Sequence, residues 1–217
     1  MVVITHFDKY PLITKKRADY VLFKQILELM NKKEHRTIEG VKKVVSLKHS
    51  MNKGLSNKIK LDFPDIVPAI RPLVPVAYIK DGYWVAGFAS GEGSFVVRIY
   101  NSKTHNCGKG VRLLFAITQS KRDIVLLNKL IILFQYGRVS NQLTPSFRVE
   151  NFKDIIEKII PFFEQYPIEG VKALDFLIFK EVAQLIKEKK HLTKEGIITI
   201  NTLRLKMYSR RSSIIID

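Results

Sequence analysis

One glutamate stands out among the side chains that could do chemistry in this sequence. Glu92 lies in the segment Trp84–Phe95, which begins as a short helix with small residues on one face. The predicted helix ends at Glu92 and Gly93. Gly93 is expected to end the helix in the left-handed conformation. Glu92 is either a metal ligand or a polar residue at a helix terminus. A carboxylate at a helix C-terminus opposes the macrodipole, which disfavours the second interpretation.

Other common chemistries lack their residues. Cys107 is the single cysteine, which excludes an internal disulfide framework and a cysteine-based zinc site. The five histidines show no metal-ligand spacing. His35 and His191 are interpreted as packing or capping residues at turns between helices, rather than as catalytic groups.

The charge balance points to a polyanion. Lys and Arg number 37 against 20 Asp and Glu, which leaves a net charge of +17 on a chain of 217 residues. A nucleic acid partner is the first explanation. A membrane surface and the solvated lysines of an AT-rich genome are the alternatives. No apolar run reaches the roughly 18 residues that a membrane span needs, so no membrane partner is expected.

The chain contains an internal repeat at an offset of 156 residues. Residues 7–51 and 163–207 share fifteen identities over forty-five ungapped positions, where chance gives roughly three. Each copy predicts two helices, the first over 17–31 or 173–187. Thr37 and Thr193 are predicted to cap the second helix. The second copy follows about eighty residues that have no counterpart before the first copy.

The region from residue 81 onward predicts a complete α+β domain. Apolar and polar residues alternate over two segments around Phe95 and Phe115, which predicts a hairpin with a long polar loop at Asn101–Lys109. The predicted order is a short helix from Tyr83 to Glu92, strands 94–100 and 111–118, helix 122–134, strands Phe134–Ser140 and Phe147–Glu150, and helix 152–160, followed by the repeated helices. Before it, Pro64, Pro68, Pro72 and Pro75 predict an extended linker. The predicted domains are therefore 1–60, a linker at 61–80, and 81–217.

These residues resemble a known family. Trp84–Phe95 is similar to the LAGLIDADG motif of homing endonucleases, in the form common in fungal organellar introns. The similarity continues through Phe115–Asp123, Ile159–Pro167 and Lys190–Gly196. The first repeat copy looks like the end of an N-terminal LAGLIDADG domain, so the resemblance covers essentially the whole chain.

The resemblance implies a fold and a mechanism. It implies αββαββα domains whose curved antiparallel sheets lie in the major groove of a long double-stranded DNA target. The motif helices pack together, and each ends in an acidic residue. Mg²⁺ ions held between the two carboxylates and the scissile phosphates drive hydrolysis of both strands. It also implies an organelle-encoded mitochondrial protein, which agrees with the absence of a presequence.

Site residues are carried over from the family position by position. Glu92 and the Gly91 carbonyl are the implied metal ligands, Gln119 the residue touching the catalytic water, and Lys172 and its repeat partner Lys16 the basic residues near the phosphate. A second set is expected to contact DNA from the predicted sheet face and the adjoining turns. It comprises Arg98, Tyr100, Arg112, Lys121, Arg122, Gln135, Arg138, Ser140 and Arg148. The four strand arginines have no acid on their predicted face, which favours DNA contact over ordinary surface polarity.

The sequence departs from the family pattern in having one acidic motif. The second carboxylate is expected from a second subunit or from an N-terminal domain that the given sequence does not contain. Two other functions stay open, since neither needs that carboxylate. One is an RNA-binding intron maturase, and the other is a non-catalytic component of an organellar ribonucleoprotein, such as an rRNA-binding protein.

Overall fold

The chain divides into two compact units, Met1–Ala77 and Tyr78–Asp217. The computed structural model describes residues 2–74, 79 and 81–212, the last five of them as backbone only. Pro75 and the other linker residues at 76–78 and 80 lie outside the described residues. None of the helices within the described ranges is long and apolar enough to cross a membrane.

The second unit is built on an antiparallel sheet of four strands in the order β1-β2-β4-β3. The strands are β1 Gly93–Asn101, β2 Lys109–Thr118, β3 Arg138–Ser140 and β4 Ser146–Val149. Phe95 lies opposite Phe115, and Phe115 lies opposite Val149, so one row of apolar residues crosses the sheet. All three side chains are buried, and the burial of Phe95 and Val97 confirms the alternation predicted at the start of β1. In β2 the alternation is not observed, because residues 113–117 are all buried.

Helices cover the apolar face of this sheet. Together with the antiparallel sheet, they confirm the predicted α+β class. Phe95, Phe163 and Phe179 form the centre of the core, with ring centroids 5.3–5.6 Å from Phe95. The helices are α5 Gly82–Glu92, α6 Ile124–Phe134, α7 Phe152–Asp154, α8 Ile160–Gln165, α9 Val171–Lys187 and α10 Lys194–Ser212.

Two predicted element boundaries are wrong. The strand expected at Phe134–Ser140 begins only at Arg138, because Phe134 ends α6 and the backbone turns at Gln135 and Gly137, with φ of 59° and 89°. The helix expected at 152–160 continues to Gln165 through a π-helical stretch at Ile155–Ile159. This stretch ends two residues before Pro161, which has no N–H and crowds the preceding turn.

The first unit is helical. Its helices are α1 Val2–Lys9, α2 Lys16–Asn31, α3 Ile38–His49 and α4 Asn57–Asp62. Both predicted caps are confirmed, since the hydroxyls of Thr37 and Thr193 accept hydrogen bonds of 3.0 Å from the N–H groups of Gly40 and Gly196. In each copy a short 3₁₀ turn joins the first helix to the second.

The proline-rich segment packs on these helices. The Arg71 guanidinium donates to the Asp19 carboxylate at 2.7 Å and to the Ser50 carbonyl at 2.6 Å. Asp19 is buried and also accepts from the Asn52 N–H at 3.0 Å. Paired and hydrogen-bonded, the buried carboxylate holds the linker against α2. The division into domains at 60 and 80 stays a prediction.

The two copies of the repeat differ in what covers them. Phe179 in α9 is fully buried against the sheet of its unit. Its repeat partner Phe23 in α2 is 39% exposed, and Met30 on the same helix is also exposed. In the described residues of the first unit, therefore, no sheet covers the apolar face of α2.

Candidate functional site

The motif helix α5 has one buried face and one bare face. Its N-terminus is capped by Asp81, whose carboxylate accepts from the Tyr83 N–H at 2.9 Å. Val85, Ala86 and Ala89 are buried. On another face Tyr83 is 65% exposed. A Cβ placed on Gly87 or Gly91 would meet nothing within 4 Å. We call Tyr83, Gly87 and Gly91 the glycine face. A strip this small and uncovered allows close approach of a second helix.

The helix ends without the left-handed glycine that the sequence predicts. Gly93 has φ −74° and ψ 157°, which is extended backbone, so that expectation is wrong. Glycine is needed for close packing instead, because a Cβ would lie 2.5 Å from the Ala89 carbonyl oxygen. Gly93 also begins β1, so the chain passes directly from helix to strand and leaves Glu92 exposed at the junction. Within the described residues Glu92 has no salt bridge.

Lys172 is brought to this junction. Its Nζ donates to the Gly91 carbonyl at 2.5 Å, across 81 residues of chain. The start of α9 is tied to the motif helix nearby, since the Ser90 hydroxyl accepts from the Glu169 N–H at 3.0 Å and donates to the Ala86 carbonyl at 2.8 Å. A lysine ammonium thus lies beside the backbone that precedes the exposed carboxylate.

The end of β2 lies at the same edge of the sheet. Gly93 is paired with Ile117, so the antiparallel register places Thr118 and Gln119 beside the end of α5. Gln119 is half-buried, and its N–H donates to the Pro145 carbonyl at 3.0 Å. Lys121 and Arg122 follow in a 3₁₀ turn and are exposed. The structure therefore brings Glu92, Gln119 and Lys172, three of the expected site residues, to one end of the sheet.

The outer face of the β1–β2 hairpin carries an unneutralised arginine pair. Arg98 and Arg112 lie directly opposite each other across the ladder and are exposed. The Arg112 guanidinium lies 5.5 Å from the centroid of the Tyr100 ring, a cation–π distance. In the described residues neither arginine has a salt bridge. Leu114 and Ala116, expected on this outer face, are buried.

The prediction that this face has no acid is wrong. Glu150 shares a face with Arg148, two residues earlier, and accepts hydrogen bonds of 3.0 Å from both Arg138 and Arg148. Strand periodicity of two could have identified it, because the predicted strand Phe147–Glu150 already contained both residues. Glu150 is the charged residue of this face that sequence reasoning missed.

Three remaining predicted residues are more scattered. Gln135 follows α6 with φ 59°, so its expected place on a strand is wrong. Ser140 is on β3, opposite Ser146, as expected. Lys16 begins α2 in the first unit, where it is exposed and its N–H donates to the Thr14 hydroxyl at 3.3 Å.

The histidines form a pair rather than a metal centre. The rings of His105 and His191 lie 6.4 Å apart, and burial, with a smaller contribution from His105, lowers the pKa of His191 below its ordinary value. Across the ranges that the structure describes, no three His, Cys, Asp or Glu side chains are grouped to hold a metal ion.

Comparison with known proteins gives the family. The sequence matches the LAGLIDADG endonuclease family over residues 1–27 and 85–183, more than half of the chain. The chain belongs to this family. It is 42% identical over 220 residues to the probable intron-encoded endonuclease 2 of Neurospora crassa, an alignment that covers 94% of the chain and 46% of the relative.

Other relatives and solved structures agree. The probable intron-encoded endonuclease 3 of Neurospora crassa is 38% identical, over 93% of the chain and 38% of the relative. The chain thus spans less than half the length of these two curated relatives. I-SmaMI bound to an uncleaved DNA target in the presence of calcium ions superposes with a TM-score of 0.93 at 43% identity, over 95% of this chain and 71% of that one. I-CpaMI bound to uncleaved DNA gives 0.91 at 41% identity, over 95% and 72%.

Proposed function

We propose that this chain is part of a homing endonuclease that binds a long double-stranded DNA site and hydrolyses its phosphodiester bonds with Mg²⁺. One observation carries the proposal. The exposed Glu92 carboxylate stands at the end of the glycine face, and Lys172 contacts the Gly91 carbonyl beside it. This arrangement supports a site in which the Glu92 carboxylate binds a metal ion and the Lys172 ammonium contacts a phosphate. The DNA complexes of I-SmaMI and I-CpaMI support DNA as the ligand.

The donor set fits a hard divalent cation. The Glu92 carboxylate is exposed and has no salt bridge within the described residues, so its oxygens are open to a cation. The Gly91 carbonyl accepts from Lys172 and keeps a second lone pair. Oxygen ligands of these two kinds suit Mg²⁺, which also retains waters and takes phosphate oxygens. The remaining positions would come from the scissile phosphate and from water.

The chain's own residues then have separate roles. A bound divalent cation supplies stabilisation of the charge that develops on the phosphate. Glu92 would hold the cation at the end of α5. Lys172 places a positive charge next to the phosphate, where it stabilises the same developing charge. Gln119 orients a water for attack through its side-chain amide, from the neighbouring strand end.

The internal repeat pairs Lys172 with a second lysine. Lys16 and Lys172 are 156 apart here and correspond to each other in the internal repeat. We therefore assign the same role to both, each in its own half of the assembled enzyme.

The sheet supplies the DNA-contacting surface. Its outer face carries Arg98, Arg112 and Tyr100, and the turn after β2 carries Lys121 and Arg122. Arg138, Arg148 and Ser140 extend this surface across β4 and β3. Arginine forks match guanine edges and phosphates, and the unneutralised pair on β1 and β2 favours a polyanion over solvent. Gln135 lies off the sheet in the turn after α6, and its contact with DNA stays a prediction.

A second motif helix completes the site. Each strand of a duplex needs its own carboxylate, and this chain contributes Glu92. The glycine face of α5 is the surface on which a second such helix would pack, from another subunit or from an N-terminal domain of a longer protein. The same partner would bring a sheet for the exposed face of α2. The boundaries 1–60, 61–80 and 81–217 are the domain division that goes with this arrangement.

The gene context of the relatives gives a location. Matches include an uncharacterised protein in ND4 intron 1 of Podospora anserina and a cox1 intron-2 protein of Schizosaccharomyces pombe. We propose that this chain is likewise encoded in an organellar intron and acts in the mitochondrion. Its natural target is then DNA of that organelle.

Glu92→Gln tests the site in the assembled protein. The variant should bind target DNA as tightly as the parent and lose metal-dependent cleavage, because the amide is a far weaker ligand than a carboxylate. Glu157→Gln is the matched control, since Glu157 is exposed on the helical layer and changes the net charge equally. Undiminished cleavage by Glu92→Gln would refute the site. Intron splicing that survives the substitution, without any DNA cleavage, would instead support the RNA-binding function.

A further inference from the structure

The sheet face contains two arginines that would repel each other without a carboxylate. Arg138 on β3 and Arg148 on β4 are directly opposite partners in the ladder. Like charges at directly opposed positions destabilise a sheet. Glu150 bridges them, with one carboxylate oxygen 3.0 Å from each guanidinium. The three side chains therefore form one connected group, which we call the Glu150 triad.

The two arginines of the triad are not equivalent. The Arg148 side chain is 20% exposed, and its Nε is buried without a hydrogen-bond partner. The Arg138 side chain is 72% exposed on the edge strand of the sheet. Arg148 thus holds the Glu150 carboxylate in place by a hydrogen bond from the buried side of the triad. Arg138 reaches outward and keeps Nη1, Nε and one Nη2 proton for a ligand.

We propose that Glu150 is a positioning residue that makes Arg138 read a base edge instead of the nearest phosphate. The inference rests on the proposed DNA-binding function. A guanidinium held by a carboxylate is fixed in orientation and has part of its charge offset, so it gains less from a phosphate. Its free edge still fits the two acceptors of guanine in the major groove. Within the described residues, the neighbouring pair Arg98 and Arg112 has no such carboxylate, so phosphates are its expected partners.

Loss of the Glu150 charge should lower sequence specificity and increase the salt dependence of DNA binding. Glu150→Gln keeps the shape of the side chain but removes its charge. Arg138 is then free to turn toward the nearest phosphate of the DNA backbone. Discrimination at one base pair should fall about 5- to 10-fold, part of what a bidentate arginine–guanine contact provides. The slope of log affinity against log salt should steepen by up to about 0.9, the value for one more phosphate contact. A purely structural role for Glu150 would weaken binding without this exchange.

The experiment uses the assembled protein and a randomised duplex library. The library identifies a bound sequence. Each base pair of that sequence is then substituted in turn, and the affinity of each resulting duplex is measured for the parent protein, Arg138→Ala, Glu150→Gln, Glu150→Asp and the double variant Arg138→Ala/Glu150→Gln. Arg138→Ala should lose discrimination at the same base pair, and Glu150→Gln should have no further effect in that background. Glu150→Asp keeps the charge and should retain the parental salt slope. Glu157→Gln controls for net charge.

The outcomes separate the two proposals. Failure of the parent protein to select any duplex would overturn DNA binding and the role of Glu150 with it. Selection of a site whose base preferences are unchanged in Glu150→Gln would overturn the role of Glu150 alone. So would a loss of preference that is equally large with and without Arg138. Circular dichroism on each variant confirms that it is folded before binding is compared.

Discussion

Removing one phenylalanine from each copy of the repeat tests how differently the two copies are covered. Phe179 is fully buried, with its ring 5.3 Å from that of Phe95 at the centre of the core. Truncation of a buried phenylalanine to alanine costs about 3–5 kcal/mol, because the transfer free energy is lost and a cavity remains. Phe179→Ala should therefore lower the free energy of unfolding of its unit by that amount.

The matched substitution in the first copy should cost much less. Phe23 is 39% exposed, so about three-fifths of its surface is buried. Full burial of a phenylalanine contributes about 1.5–3 kcal/mol, which scales to about 1–2 kcal/mol here. An open surface adds no cavity, because solvent fills the space. Phe23→Ala should cost about a third of what Phe179→Ala costs.

Urea denaturation of the chain measures both values. Trp84 is the single tryptophan, so its fluorescence follows the second unit, while far-ultraviolet circular dichroism follows both. Equal losses for Phe23→Ala and Phe179→Ala in the isolated chain would refute the argument, since they would mean that the α2 face is already covered. In the assembled endonuclease the two costs should converge, because the proposed partner brings a sheet to α2.

Three further predictions follow from the site and its surroundings. Lys172→Met should slow single-turnover cleavage by about 100-fold or more with little change in DNA affinity, and an unchanged rate would remove Lys172 from the site. Gly87→Leu should raise the urea midpoint slightly, since leucine favours the helix over glycine and no described residue lies within 4 Å of the new Cβ, but sedimentation should show loss of assembly. Burial lowers the pKa of His191 from 6.5, so the folded state favours its neutral form. Stability is then complete above about pH 6.5 and falls as the pH drops below it, whereas His191→Asn should lack that part of the fall.

Local patterns predicted the elements that depend on local interactions. Thr37 and Thr193 cap their helices because a hydroxyl three residues before an N–H is all that the cap requires. The alternation in β1 predicted which of its side chains are buried, because a strand with one covered face must alternate. In β2 it did not, since Leu114 and Ala116 are buried on the opposite face as well. The repeat added a second, independent copy of the same signals.

The errors arose where non-local geometry decides. Residues 134–140 look like a strand, yet Gln135 and Gly137 adopt positive φ so that the chain can leave α6 and reach the edge of the sheet. The bond between Arg138 and Glu150 depends on how β3 pairs with β4, which the sequence of neither strand specifies. The helix ends at Gly93 as predicted, but not because Gly93 is left-handed. A glycine is needed there because a Cβ would collide with the Ala89 carbonyl, a contact that exists only in the packed helix–strand junction.

That junction explains why the proposed chemistry and the proposed assembly depend on the same eleven-residue helix. Gly93 lets the chain enter β1 directly, which leaves Glu92 at the edge of the sheet rather than inside the core. The glycines that leave the α5 face bare lie one and five residues before Glu92, so a helix packed on that face brings its own end next to this carboxylate. A variant that blocks the glycine face should therefore lose cleavage of both strands, even though its own carboxylate, Lys172 and sheet are intact.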